Sequence, residues 1–174
     1  MHKPAVIKIF TTGGSIDKIY STQKSAFVVG DPTIESILQA ANVTVDYVIE
    51  PLLRKDSLDL TAGDREMIAA HVRATPHRRI VITHGTDTMI ATANALGDVS
   101  GKTVVLTGAM QPAAFKRTDA AFNVGGALLA VQTLPPGVYV VMNGRVFDPR
   151  RARKNVAQDR FEATKEDECR RPTS

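Results

Sequence analysis

A chain of 174 residues that is 43% hydrophobic and 23% charged has the composition of a folded globule, long enough to bury roughly 70% of its unfolded surface in one domain and too apolar to be a disordered segment. Its net charge of +4 is concentrated at Arg145, Arg150, Arg151, Arg153, Lys154 and Arg160, but with 5% aromatics and no Trp it lacks the stacking platforms of a nucleic-acid surface. No stretch approaches the roughly 18 apolar residues of a membrane span. Met1-His2-Lys3-Pro4 leads into a strand rather than an apolar leader, and the single Cys169 excludes an intrachain disulfide, so the expectation is a cytoplasmic chain with no nucleic-acid or membrane partner.

Residues 6–10, Val-Ile-Lys-Ile-Phe, are apolar with little alternation and predict a buried first strand. It runs into Thr11-Thr12-Gly13-Gly14-Ser15. Residues 15–30 are polar, without helical period, and predict a long loop of the kind that serves as a lid. Asp31-Pro32 reads as the start of a helix, with Asp31 as N-cap and Ile34, Ile37 and Leu38 as its apolar stripe. Residues 44–49 predict a second strand and residues 54–59 a loop; Thr61 caps a helix over 62–74 with Met67, Ile68 and Val72 facing inward.

Residues 79–82 predict a third strand, ending in Thr83-His84-Gly85-Thr86-Asp87-Thr88, with a helix through Leu96 after it. A fourth strand follows at 103–106, then the loop Thr107-Gly108-Ala109-Met110. Residues 119–134 read as a helix whose Gly125, Gly126 and Ala127 permit close packing on a sheet. A fifth strand at 138–142 meets Asn143-Gly144, a strong two-residue turn signal, so residues 145–147 fold back as a hairpin. The remainder from Asp148 is charged and weakly periodic; the boundaries expected are a single domain over 1–165 and a loose tail over 166–174. The alternation of strand and helix predicts an α/β fold: a three-layer, doubly wound, mostly parallel sheet with helices on both faces and a C-terminal β-hairpin. Such sheets gather functional groups beyond the carboxyl ends of their strands, which puts the loops at 11–15, 83–88 and 107–110 on one edge.

A dinucleotide loop needs glycines spaced as G-x-G-x-x-G, and a Walker loop needs Gly-Lys-Ser/Thr; Gly13-Gly14-Ser15 satisfies neither. A hydroxyl nucleophile fits better, since glycines admit a ligand close to the backbone and leave amide N–H groups free as oxyanion donors. No Gly-x-Ser-x-Gly elbow occurs and His84 is the lone histidine near a strand end, so the base suggested is a lysine relayed through Thr or Tyr hydroxyls. Each residue has a plainer use as well: Ser15, Asp56 and Ser57 as turn formers, Thr86-Asp87 as a helix cap, Lys154 as a solvated charge and His84 as a satisfied strand-end group.

Thr12-Gly13-Gly14-Ser15-Ile16, His84-Gly85-Thr86-Asp87-Thr88 and Gly108-Ala109-Met110-Gln111-Pro112 together resemble the bacterial-type L-asparaginase family. Asp119-Ala120-Ala121-Phe122-Asn123, Met142-Asn143-Gly144-Arg145 and Arg153-Lys154-Asn155 extend the likeness in the same order over almost the whole chain. It is most similar to a short single-domain form without the usual C-terminal domain. The resemblance implies hydrolysis of the side-chain amide of a small-molecule substrate, L-asparagine, through an acyl-enzyme, with no metal and no cofactor. The nucleophile ending the family's Thr-Gly-Gly-Thr motif falls on Ser15, which keeps the hydroxyl and loses the methyl that restricts χ1. The second hydroxyl falls on Thr86, its lysine partner on Lys154, the group for the substrate's α-amine on Asp87, the residue for its α-carboxylate on Ser57 beside Asp56, and the carbonyl facing the amide on Ala109. Phe27 stands where the lid tyrosine aligns, so the lid hydroxyl is assigned to Tyr20, relaying the proton with a carboxylate or water. With no second domain, pocket closure would fall to the chain's own tail or a symmetric partner, giving the expectation of a homodimer or homotetramer.

Overall fold

The computed structural model describes residues 5–164. The tail assigned to 166–174, with Cys169, lies outside the described residues. The first strand, β1 (Ile7–Gly13), is buried along its whole length and continues through the two threonines to Gly13. After a 3-10 turn at Ser15–Asp17 come β2 (Lys18–Ser21), β3 (Ala26–Val29), α1 (Ile34–Ala40) and β4 (Tyr47–Lys55). A second 3-10 turn, Ser57–Asp59, precedes α2 (Ala62–Ala74), β5 (Arg79–Thr83), α3 (Met89–Ala95) and β6 (Thr103–Thr107). The chain continues through α4 (Ala120–Thr133), β7 (Gly137–Met142), β8 (Arg145–Phe147), β9 (Ala152–Asn155) and β10 (Arg160–Ala163).

The main sheet has the order β4-β1-β5-β6-β7-β8. All its pairings are parallel except β7 with β8. Alternate residues of each strand face opposite layers. Phe10, Ile80, Ile82, Val104, Leu106, Val140 and Met142 pack with α2 and α3. Ile7, Ile9, Val81, Val105 and Val141 pack with α1 and α4. Gly126 allows the close approach of α4, since a Cβ there would meet Val141 Cγ1 at 3.2 Å, whereas Gly125 faces open space. From β1 the chain moves to one side, to β4, and then crosses to the other, to β5. The crevice at this reversal of strand order, over the ends of β1 and β5, is where ligands bind in open α/β sheets. Among the described residues no helix is long and apolar enough to cross a membrane.

Several elements form for local reasons. Thr61 Oγ1 accepts from Asp64 N at 3.1 Å while Asp64 Oδ2 accepts from Thr61 N at 2.8 Å, a complete capping box at the start of α2. The far end of α2 is closed by Lys102, whose Nζ donates to the carbonyls of Val72, Arg73 and Thr75. Asn143 and Gly144 have φ of 54° and 73°, the paired positive values that a tight hairpin turn demands.

Other elements differ from the sequence expectation. The strand expected at 44–49 starts later and runs on to Lys55, with Pro51 inside it. β4 is the edge of the sheet, where a proline lacking its N–H removes no interior hydrogen bond. Asp31 does not cap α1: its carboxylate pairs with Arg54 Nη1 at 2.8 Å, and Thr33 occupies the N-cap position. The expected loop at 15–30 is a two-stranded antiparallel hairpin, β2 with β3, in register Lys18↔Val29 to Ser21↔Ala26. The charged stretch after Asp148 folds as a second hairpin, β9 with β10.

Candidate active site

Backbone segments from three strand ends meet at the crevice, and glycine makes the meeting possible. Gly13 and Gly14 have φ of 93° and 88°, a region that side-chain-bearing residues rarely enter. A Cβ on Gly14 would lie 2.3 Å from Gly85 Cα, one on Gly85 would lie 2.6 Å from Ser57 Oγ, and one on Gly108 would lie 2.2 Å from His84 O. Hydrogen bonds fasten the same segments: Gly14 N donates to Lys55 O at 2.9 Å, His84 N to Thr107 O at 2.9 Å, Thr12 Oγ1 to Thr83 O at 2.8 Å and Thr88 Oγ1 to Ser57 O at 2.7 Å. Ser57, Gly85 and Gly14 are thus in contact although they follow three different strands.

His84 is buried behind this junction. Its Nδ1–H donates to Gly85 O at 2.7 Å and its Nε2 accepts from Thr92 Oγ1 at 2.8 Å. Burial pushes its pKa down to about 4, so the ring is neutral and acts as a brace between the Gly85 turn and α3. Ser57 is also sealed, at 1% exposure, and its hydroxyl has no hydrogen-bond partner among the described residues. The hydroxyls of Thr11 and Thr83, at the ends of β1 and β5, are unpartnered in the same way among the described residues.

Thr86, Asp87 and Lys154 form the charged part of the site. Lys154 Nζ donates to Thr86 Oγ1 at 2.8 Å and to Asp87 Oδ1 at 2.7 Å, across 68 and 67 residues of chain. Because the threonine oxygen accepts from the ammonium, its own O–H remains available to a ligand. Lys154 reaches this point on the second hairpin, through a relay of asparagines. Asn123 Nδ2 donates to Gly108 O at 3.0 Å, Asn143 N to Asn123 Oδ1 at 3.1 Å, and Phe161 N to Asn143 Oδ1 at 2.9 Å. Asp119 completes the relay by accepting from Met110 N, Gln111 N and Asn123 Nδ2. These asparagines lie in the motifs noted in the sequence, but nothing local marks them as the fastening of the lysine hairpin.

Ser15 follows Gly14 in the first 3-10 turn and is partly exposed; its hydroxyl makes no hydrogen bond among the described residues. Ala109 is buried just after β6. Asp56 caps the second 3-10 turn by accepting from Leu58 N at 3.2 Å, and its carboxylate pairs with Lys18 Nζ at 2.6 Å. It therefore joins the β2–β3 hairpin to the Ser57 turn. Tyr20 stands on that hairpin at 55% exposure, opposite Phe27 in register. Its ring meets Phe27 edge-on at 5.6 Å, and Phe27 meets Phe115 at the same spacing. The structure groups Ser57, Gly85, Thr86, Asp87 and Lys154 through direct contacts, and leaves the Tyr20 hydroxyl without a hydrogen bond among the described residues. Of the basic cluster, Arg150 pairs with Asp148, and Arg153 and Arg160 with Glu162, so much of that charge is internally neutralised. A depression of about 720 Å³ lined by Asp98, Val99, Pro136 and Arg150 lies before β6 and β7, at the opposite edge of the sheet, and holds none of the candidate residues.

Residues 6–170 match the family described as asparaginase, N-terminal. The chain is 32% identical over 154 residues to one component of the glutamyl-tRNA(Gln) amidotransferase of Methanococcus vannielii, covering 82% of this chain and 35% of the relative. It is 32% identical over 165 residues to L-asparaginase 2 of Escherichia coli K12, covering 88% of this chain and 47% of the relative. The thermostable L-asparaginase of Thermococcus kodakarensis superimposes with a TM-score of 0.80 at 27% identity, over 91% of this chain and 51% of that one. The chain thus spans about a third to a half of the relatives it matches, and it belongs to the asparaginase family, of which it carries the N-terminal domain.

Proposed function

We propose that this chain hydrolyses the side-chain amide of L-asparagine to L-aspartate and ammonia, through an acyl ester on Ser15. The observation that supports it most is the convergence of Lys154 on Thr86 and Asp87, at 2.8 and 2.7 Å, beside the contact of Gly14 with Gly85. Ser15 Oγ attacks the amide carbon, and its proton passes to the leaving nitrogen through Tyr20 and a carboxylate or water. Backbone N–H groups of the glycine turns and the Thr86 hydroxyl, polarised by the Lys154 ammonium, hold the oxyanion. The C–N bond breaks, ammonia leaves, and water cleaves the ester to release aspartate. Asp87 takes the substrate's α-ammonium, the orphaned Ser57 hydroxyl donates to its α-carboxylate, the Ala109 carbonyl accepts from its amide, and Asp56 holds the Ser57 turn in place. Residues 1–165 are assigned as the catalytic domain, in the cytoplasm, the compartment suggested by one cysteine in 174 residues.

Release of ammonia from asparagine by the wild type, with loss in Ser15→Ala and Thr86→Ala, is the expected result; full activity in both variants contradicts the assignment. A second reading is a glutaminase or broader amidase; another, a catalytically degenerate aspartate-binding module, draws support from serine in place of threonine at the nucleophile and from Phe27 where a lid tyrosine aligns. Parallel assays on glutamine separate the first of these, and stabilisation by aspartate without turnover identifies the second. We also assign the chain to a homodimer or homotetramer. Phe122 and Leu129, each 68% exposed on α4, flank with Val146 a groove of about 630 Å³ suited to self-association.

A further inference from the structure

Asp17 is a carboxylate buried to 2% exposure two residues after Ser15. Its Oδ1 accepts from Thr33 N and from Thr33 Oγ1, both at 2.8 Å. The turn above it is held at every carbonyl. Gly14 O accepts from Asp17 N, Ser15 O from Lys18 N, Ile16 O from Ala113 N at 3.0 Å, and Asp17 O from Gly30 N at 2.7 Å. The last of these closes the neck of the lid hairpin, whose first pair is Lys18↔Val29. Arg54 braces the same neck from β4, donating from Nε to Val29 O at 3.1 Å and pairing with Asp31 at 2.8 Å. Burial raises the pKa of Asp17 against the lowering effect of Thr33 and of the Arg54 charge. A buried carboxylate whose direct side-chain partner among the described residues is Thr33 alone is costly, and an apolar side chain of similar size would fill the space without that cost.

We propose that Asp17 is a positioning residue for the Ser15 hydroxyl: its carboxylate, sealed on Thr33 at the start of α1, locks the Ser15 turn and the neck of the lid hairpin into one rigid unit. This role rests on the reading of Ser15 as nucleophile, and it extends to the lid, because Tyr20 lies three residues beyond Asp17 on the strand that leaves the neck. Asp17 touches neither substrate nor reacting atoms. It acts by fixing where the nucleophile and the lid hydroxyl stand, and displacements of about 1 Å in such groups cost on the order of 100-fold in rate.

The test compares wild type, Ser15→Ala, Asp17→Asn, Thr33→Val, Thr33→Ser and the double variant Asp17→Leu with Thr33→Val. Ammonia release, thermal stability and hydrogen exchange over residues 18–29 are measured for each. Asp17→Asn keeps the accepting oxygen and is expected to retain kcat within about threefold, while the apolar pair loses about 10- to 100-fold in kcat with KM nearly unchanged. Exchange over 18–29 accelerates in the apolar pair, and Thr33→Ser retains the turnover that Thr33→Val partly loses. A folded apolar pair with native kcat and native exchange overturns the proposal, because a merely space-filling Asp17 predicts that result. If the apolar pair does not fold, native turnover in Thr33→Val overturns it instead. If the wild type releases no ammonia, or Ser15→Ala matches it, the nucleophile reading has failed. Exchange over 18–29 then judges the clamp alone: acceleration supports it and an unchanged rate overturns it.

Discussion

Lys154 and Thr86 are joined by a 2.8 Å hydrogen bond over a sequence gap of 68 residues, and no periodicity or local propensity could have paired them. Only the order of motifs along the chain made the pair legible. Lys154→Met is expected to lower kcat by about 10² to 10³, the usual effect of losing a group aimed at developing charge; steady-state rates on asparagine measure it, and a native kcat would remove Lys154 from the chemistry. Asp17 and the asparagines 123 and 143 were not legible as structural fasteners, because burial and long-range partners leave no trace in a single sequence. His84 permits a sharper test. Its folded pKa of about 4 lies below the ordinary 6.5, so between those values the unfolded chain binds a proton that the native chain does not. Its contribution is complete above pH 6.5 and declines as pH falls to 4, by on the order of 3 kcal/mol. Asp17, whose folded pKa is raised, contributes with the opposite sign at the low end of that range, favouring the fold as pH falls. The measurement is therefore the difference between wild type and His84→Gln in denaturant midpoints from pH 4 to 7. A gap that narrows toward pH 4 is expected; a pH-independent gap would show that folding leaves the His84 pKa unshifted, and a gap that widens would show that the fold favours the charged ring.

Elements defined by short-range chemistry were readable. Thr61 announced the start of α2, and Asn143-Gly144 announced the β7–β8 turn, because each signal lies within a few residues of the element it marks; Asp64, which completes the capping box, was added by the structure. Thr61→Ala is expected to destabilise the chain by about 1 kcal/mol with kcat unchanged, as chemical denaturation alongside the ammonia assay would show. The two hairpins outside the main sheet were not readable. β2, β3, β9 and β10 are four residues each, too short for an alternation to stand above chance. Their turns rest on Ser25 and Asp159 at φ of 48° and 50°, where an expected Gly or Asn is missing. One of these hairpins carries Tyr20 and the other carries Lys154, whose Nζ reaches Thr86 and Asp87. Asn143→Ala removes the acceptor of Phe161 N and is expected to lower kcat more than it lowers stability, because it loosens the lysine hairpin and leaves the core intact.

At the scale of the whole molecule, the parallel sheet could be anticipated from alternating strands and helices, and its polar edge from the threonine-rich loops. The strand order could not, because it depends on which neighbour each strand chooses. That order, β4-β1-β5-β6-β7-β8, sets the Ser15 and Thr86 loops side by side at the point of reversal. The outer face of α4 tests the assembly. Light scattering on a sizing column is expected to give a multiple of 18.8 kDa, reduced by Leu129→Glu; a monomer at all concentrations would contradict self-association through that face. The central claim is a covalent ester on Ser15, and acid quenching during turnover of asparagine, followed by peptide mass spectrometry, tests it most directly. An aspartyl adduct on the Ser15 peptide, absent from Ser15→Ala, is the predicted result. Ammonia release by Ser15→Ala at the wild-type rate, or an adduct mapped to another residue, would contradict it.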